Sequence, residues 1–238
     1  MLSYESSALF QISVGLILTQ KLVLLVDIQP PNLPWKSLTP ISRGGVLSFY
    51  YGDSNSKIPV RDVTRYGDSK SDPNLETMTY GLFSTCEQDM RDGFVRRGME
   101  HIFFCTNRAH IRVLTGYYHA KWYHIGPPLK HRKERPDYWL AADEIRFVNP
   151  GFRLKDLTGY LRGVRLDTPF RRFRYLDEPT AQRLLSLMKD TSDRTKEYLQ
   201  EIKRLENENL RKYGVTYTNW KKKEGFDWNW ARKYLGKQ

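Results

Sequence analysis

The spacing of apolar residues changes along the chain, and each period names an element. Gly44–Tyr51 (GGVLSFYY) and the apolar run His101–Thr106 (HIFFCT) have the length and aromatic, β-branched content of buried strands. Gly52–Ser56 reads as a turn and Lys57–Tyr66 as a returning strand. Tyr80–Cys86 predicts a short strand, and Glu87–Arg97 a short helix weakened by Gly93 and ended at Gly98. Arg112–Tyr123 (RVLTGYYHAKWY) and Tyr138–Val148 (YWLAADEIRFV) predict two further strands, with a bulge or close backbone approach at Gly116. Asn149–Gly151 reads as a turn, and Leu154–Leu161 as a docking turn of helix or strand. Over Pro179–Lys189 the residues Ala181, Leu184, Leu185 and Met188 fall at helical spacing on one face. Thr195–Tyr213 predicts a charged helix with a thin stripe of Tyr198, Ile202, Leu205 and Leu210.

The most apolar stretch, Leu9–Ile28, is interrupted by Gln20 and Lys21. A central Lys is costly in a bilayer-spanning helix, so two short buried strands, or a strand and a helix, are expected here instead of a membrane anchor. Met1–Ala8 lacks Lys and Arg, and with them the basic start of a signal peptide. Pro30, Pro31, Pro34 and Pro40 mark an extended connection, and Gly67–Asn74 a polar loop that serves as a soft boundary.

Composition narrows the class. Among 238 residues, 39% are hydrophobic and 13% aromatic, which excludes wholesale disorder. Two cysteines, Cys86 and Cys105, exclude a disulfide-dense scaffold and a four-Cys zinc site, and they fit a reducing cytoplasm. The formal net charge is +12. Residues 1–75 carry 7 basic and 6 acidic side chains, residues 76–180 carry 18 and 13, and residues 181–238 carry 14 and 8. The positive excess lies in the last two-thirds, and a polyanion such as nucleic acid is the partner such a surface attracts.

From Thr79 to Lys189 the order of features resembles the PUA-like superfamily, most closely its YTH and EVE branches. The pieces are a small polar strand end (SerThrCys, 84–86) before a helix, then IFFCT and its hairpin partner LTGYYHAKWY. A long basic loop, WLAADEIRFVNPGFRLKDL and TPFRRFRYLDEPTAQRLLSLM follow. The resemblance covers about 110 residues and rests on cadence. It implies an α+β protein built on a curved β-barrel flanked by helices. The PUA-like domain would be 76–190; residues 1–75, expected as a β-rich extension packed on the barrel, and 191–238, expected as a charged helix with a basic, Trp-rich tail, lie outside the resemblance. The resemblance also implies binding of RNA or DNA through a modified or flipped base held among aromatic side chains. Where the YTH pattern has a Trp before the strand end, this chain has Leu82 and Phe83, which points to a different or looser base preference.

Candidate base-binding residues follow from the aromatic cluster and the strand ends. They are Trp122, Trp139 and Tyr118, with Ser84, Thr85, Cys86 and Asn107 offering polar groups to a base edge. On a regular strand Tyr118 and Trp122 share one face, and Tyr117 and Tyr123 the other. Lys130, Arg132, Lys133 and Arg135 in the proline-bounded loop, and Arg171, Arg172 and Arg174, are the candidate phosphate contacts. No cofactor, no metal and no catalytic residue is expected. The five histidines lie within His101–His131, but without HExxH or CxxC spacing, and His119 and His124 fall on opposite faces of a regular strand. Two other readings stay open. One is a metal-dependent nuclease using Asp143 and Glu144. The other is a protein-interaction module. RNA versus DNA, and the oligomeric state, are not fixed by these patterns.

Overall fold

A computed structural model describes residues 36–53, 56–62, 73–74, 82–85, 87–128, 136–161, 163–164 and 173–213. The Leu9–Ile28 block, Cys86, the loop 129–135, Arg171, Arg172 and the tail after Tyr213 lie outside them. Among the described residues the chain is α+β. Its strands are β1 (Lys36–Ser37), β2 (Gly45–Phe49), β3 (Pro73–Asn74), β4 (Leu82–Thr85), β5 (His101–Arg108), β6 (Ile111–Pro128), β7 (Pro136–Arg153) and β8 (Phe173–Leu176). Its helices are α1 (Gln88–Val95), α2 (Glu178–Lys189) and α3 (Thr195–Tyr213). The strands form one sheet in the order β3-β4-β7-β6-β5-β2-β8, with β1 on the far part of β6. All pairings are antiparallel except β2 with β5.

Strand alternation gives the sheet two apolar faces, and each is covered. Val46, Ile102, Phe104, Tyr118 and Phe147 face Met90 and Phe94 of α1 and Tyr198, Ile202 and Leu205 of α3. Leu47, Phe103, Cys105, Leu114 and Tyr117 face Ala181, Leu184, Leu185 and Met188 of α2, with Leu154 and Leu157 of a short 3-10 turn. The α2 stripe is therefore the buried one, as are Tyr198, Ile202 and Leu205 of the α3 stripe. Gly93 does more than weaken α1. A Cβ there would stand 2.8 Å from the Tyr175 ring, so the glycine permits close contact between helix and sheet. Gly98, at φ +64°, ends that turn as expected.

Asp177 caps α2, its carboxylate accepting from the Thr180 amide at 2.9 Å. The Thr180 hydroxyl and then this amide, both donating to the carboxylate, hold the carboxyl below its ordinary value of 3.8. A depressed folded value means stabilisation present at neutral pH and lost as pH falls through that value. Asp177→Ala is expected to cost about 1 kcal/mol at pH 7. In denaturant titrations at several pH values, its gap from the wild type should close in acid.

Two expected elements differ in extent. Of Lys57–Tyr66, residues 63–66 lie outside the described residues; the described part turns back on Tyr51–Asp53 through the bridge of Gly52 with Arg61 and two backbone hydrogen bonds, Asp53 to the Val60 carbonyl and Asp62 to the Tyr51 carbonyl, beside the buried Val60. Asn149–Gly151 does not end the third strand. β7 runs on to Arg153, and residues 148–151 bow out between the pairs Gly116↔Phe147 and Leu114↔Phe152. The detour is stabilised from outside the sheet, because Tyr198 donates its hydroxyl to the Val148 carbonyl at 2.8 Å.

Candidate functional site

Three bulges decide what meets on the sheet. β5 and β6 are joined by Ala109 and His110, both at positive φ, the geometry of a two-residue hairpin loop. From that turn the strands pair Arg108↔Ile111 through Cys105↔Leu114, and then the register shifts to Phe104↔Gly116, leaving Thr115 as the extra residue. The shift brings His119 opposite His101; an unshifted ladder would have put Tyr118 there. Gly116 makes it possible, since a Cβ at that position would meet the Arg146 carbonyl oxygen at 2.5 Å.

Between β6 and β7 the pairs run His119↔Glu144, Ala120↔Ala142, Trp122↔Ala141. Asp143 is thus extra on one strand and Lys121 extra on the other. Each is re-aimed by its bulge, and the two meet as an ion pair at 3.1 Å. Asp143 also bonds Nδ1 of His119. Burial alone would raise the Asp143 carboxyl, but the hydrogen bonds and charges of His119 and Lys121 outweigh it and hold it below its ordinary value.

His101 is 6% exposed, and its Nδ1 has no hydrogen-bond partner among the described residues. Its ring centre lies 5.2 Å from that of His119. Burial, helped by His119 and Lys189, pushes its pKa down to about 4, against the pull of Glu144 and of a hydrogen bond with the Gly44 backbone, so the imidazole is neutral at pH 7. Glu100 precedes it, tied to β6 by the Ala120 amide, which donates to the Glu100 carbonyl at 2.7 Å. A carboxylate oxygen of Glu100 and a ring nitrogen from each of His101 and His119 all lie within 4.8 Å of one another. Around them, Tyr117 donates its hydroxyl to Glu144, and Lys189, at the end of α2, stands 3.4 Å from the same carboxylate. Burial, then the bond to Glu144, pushes the Tyr117 phenol well up, so it stays a hydrogen-bond donor.

The candidate base-binding residues are not brought together as a set. Tyr118 is a core residue, 1% exposed, its ring 4.7 Å from that of Phe104 and 6.0 Å from that of Phe147. It does not share a face with Trp122. The bulge at Lys121 reverses the alternation, so Tyr123 packs with the cluster that holds Tyr118 while Trp122 turns to the His119 side. By the same reversal His119 and His124 fall on one face, not on opposite ones. Trp122 is half-buried, with the Lys121 ammonium 5.1 Å from its ring centre. Trp139 pairs by register with His124 of β6 and Ser84 of β4, so its position is diagonal to that of Trp122.

The remaining candidates divide. Thr85 is fully buried and accepts from the Glu87 amide at 3.0 Å, which is turn chemistry before α1. Asn107 is exposed but pairs with Arg112 beside the hairpin turn, about 30 Å along β6 from Trp122. It belongs to a different end of the sheet. Arg174 pairs with Leu47 on the edge strand β8, and one of its guanidinium nitrogens donates to the Phe173 carbonyl at 3.0 Å. Cys86, Lys130, Arg132, Lys133, Arg135, Arg171 and Arg172 lie outside the described residues.

Sequence spacing sets Asp143 beside Glu144 and misses their meeting with Glu100, His101 and His119. His101 and His119 are 18 positions apart and become neighbours only through the hairpin and its bulge. The available signal was Gly116, the expected bulge site.

No protein-family model and no curated protein matches the chain.

Proposed function

We propose that the protein binds RNA or DNA, laying a modified or flipped base on Trp122 while basic side chains hold the phosphates. One observation carries this reading. Trp122 is a partly open indole carrying a lysine ammonium over its ring, in a chain of net charge +12. An aromatic face stacks on any base, and an adjacent cation suits the phosphate beside it. The diagonal position of Trp139 supports a second aromatic contact. On this reading the sheet is the curved barrel of a PUA-like domain, and the protein works in the cytoplasm as a binder.

Fluorescence anisotropy tests it with single-stranded RNA and DNA, unmodified and base-methylated, at two salt concentrations. One modified strand is expected to bind more tightly and to keep its advantage at the higher salt. Equal binding to all strands that collapses with salt would leave charge alone as the driving force and remove the base pocket. Lys121→Gln is expected to weaken binding to every strand alike and to lower the slope of log K against log salt by about 1.

A hydrolytic reading has one specific observation in its favour, the histidine and carboxylate cluster on the same sheet face as Trp122. Divalent-metal-dependent cleavage of a labelled oligonucleotide, lost in Glu144→Ala, would replace the binding reading with it.

A further inference from the structure

We propose that Glu100, His101 and His119 form a binding site for a divalent transition metal of the zinc type. The donor set is two imidazoles and one carboxylate, whose donor atoms already lie within 4.8 Å of one another. Bonds of about 2.0–2.2 Å in a tetrahedron place donors about 3.3–3.6 Å apart. Side-chain rotations of about an ångström therefore close the site, with a fourth position left for water or a ligand.

Three further observations point the same way. His101 is almost fully buried, yet its Nδ1 has no hydrogen-bond partner among the described residues. The ring is anchored by the Gly44 backbone, and a buried nitrogen left over from such an anchor is costly unless something else uses its lone pair or proton. His119 is held by the Asp143 carboxylate through Nδ1, which leaves Nε2 as the free donor. A carboxylate behind a histidine is the arrangement that orients metal ligands and raises their basicity. Asp143 is in turn fixed by Lys121, so the support around the ligand is complete on that side. The mixture of nitrogen and oxygen donors favours zinc-type cations over Mg²⁺ or Ca²⁺, which prefer oxygen alone.

The inference does not depend on nucleic-acid binding. Its test uses the full chain, stripped with a chelator and titrated with Co²⁺ and then Zn²⁺. Equimolar Co²⁺ is expected to give the visible absorption of a four- or five-coordinate site, and Zn²⁺ to displace it. His101→Ala and His119→Ala should each abolish that spectrum, and Asp143→Asn should weaken affinity about 10–100-fold. His110→Ala, in an exposed turn residue, should change nothing. Far-ultraviolet circular dichroism checks that each variant is folded, and Glu100→Gln keeps the shape of the site if a histidine variant is not. Absence of a stoichiometric Co²⁺ spectrum in the wild type, or its survival in folded His101→Ala or His119→Ala or in Glu100→Gln, overturns the proposal. Metal binding without oligonucleotide binding would leave this site standing and remove the proposed function.

Discussion

Trp122→Ala is expected to weaken binding of a short single-stranded oligonucleotide by about 5- to 140-fold at fixed salt. Stacking of one base on an aromatic side chain contributes about 1–3 kcal/mol, and each 1.4 kcal/mol is a factor of ten. The loss should appear with its salt slope unchanged, because no phosphate contact is removed. Trp122 is half-buried and belongs to neither apolar core of the sheet, so stability should change little. Trp122→Phe keeps a stacking face and should recover most of the affinity. If Trp122→Ala and Trp139→Ala both bind like the wild type, the aromatic reading of this face is wrong.

Phe104→Ala is expected to be the most destabilising single change on the α1 and α3 side of the sheet. The ring is fully buried and has aromatic neighbours all round: Tyr118 at 4.7 Å, Phe83 and Phe147 at 5.9 Å, and Tyr50 at 6.4 Å between centroids. Removing it loses the transfer energy of the ring and leaves a cavity that its neighbours close only in part, about 3–5 kcal/mol together. A domain of this kind has about 5–15 kcal/mol in all, so at least about a fifth of the stability goes. Urea titration followed by circular dichroism reads this as a fall in midpoint with little change in slope. A loss below about 1 kcal/mol would mean that the core around Phe104 is looser than its ring distances say.

Local pattern carried the helices and the central strands. The α2 face of Ala181, Leu184, Leu185 and Met188 is buried as its spacing requires, and α3 has the expected bounds. The reason is physical: helical burial is decided within a few residues of sequence. Register is different, because it depends on residues far apart and on where one strand carries an extra position. Regular alternation put Tyr118 beside Trp122, and the bulge at Lys121 separated them. Asn107 and Trp122 are both strand residues with suitable chemistry, and only the hairpin length shows that they sit at opposite ends. The histidine cluster has the same origin. Its members are unremarkable one by one, and pairing across β5, β6 and β7 makes them a group.

The two extra residues Lys121 and Asp143 also cancel. Pairing beyond them, Trp122↔Ala141 to Ile125↔Tyr138, continues the same count as pairing before them, Gly116↔Phe147 to His119↔Glu144. Seen as insertions and deletions, they are a compensated pair. Each is an unpaired insertion in its own strand, so losing Lys121 alone would make Ala120↔Ala142 and Trp122↔Ala141 consecutive pairs and leave Trp122 on the His119 face. What a deletion at either position removes is the aim of a side chain, and with it the ion pair between Lys121 and Asp143, while the outer ladder keeps its phase.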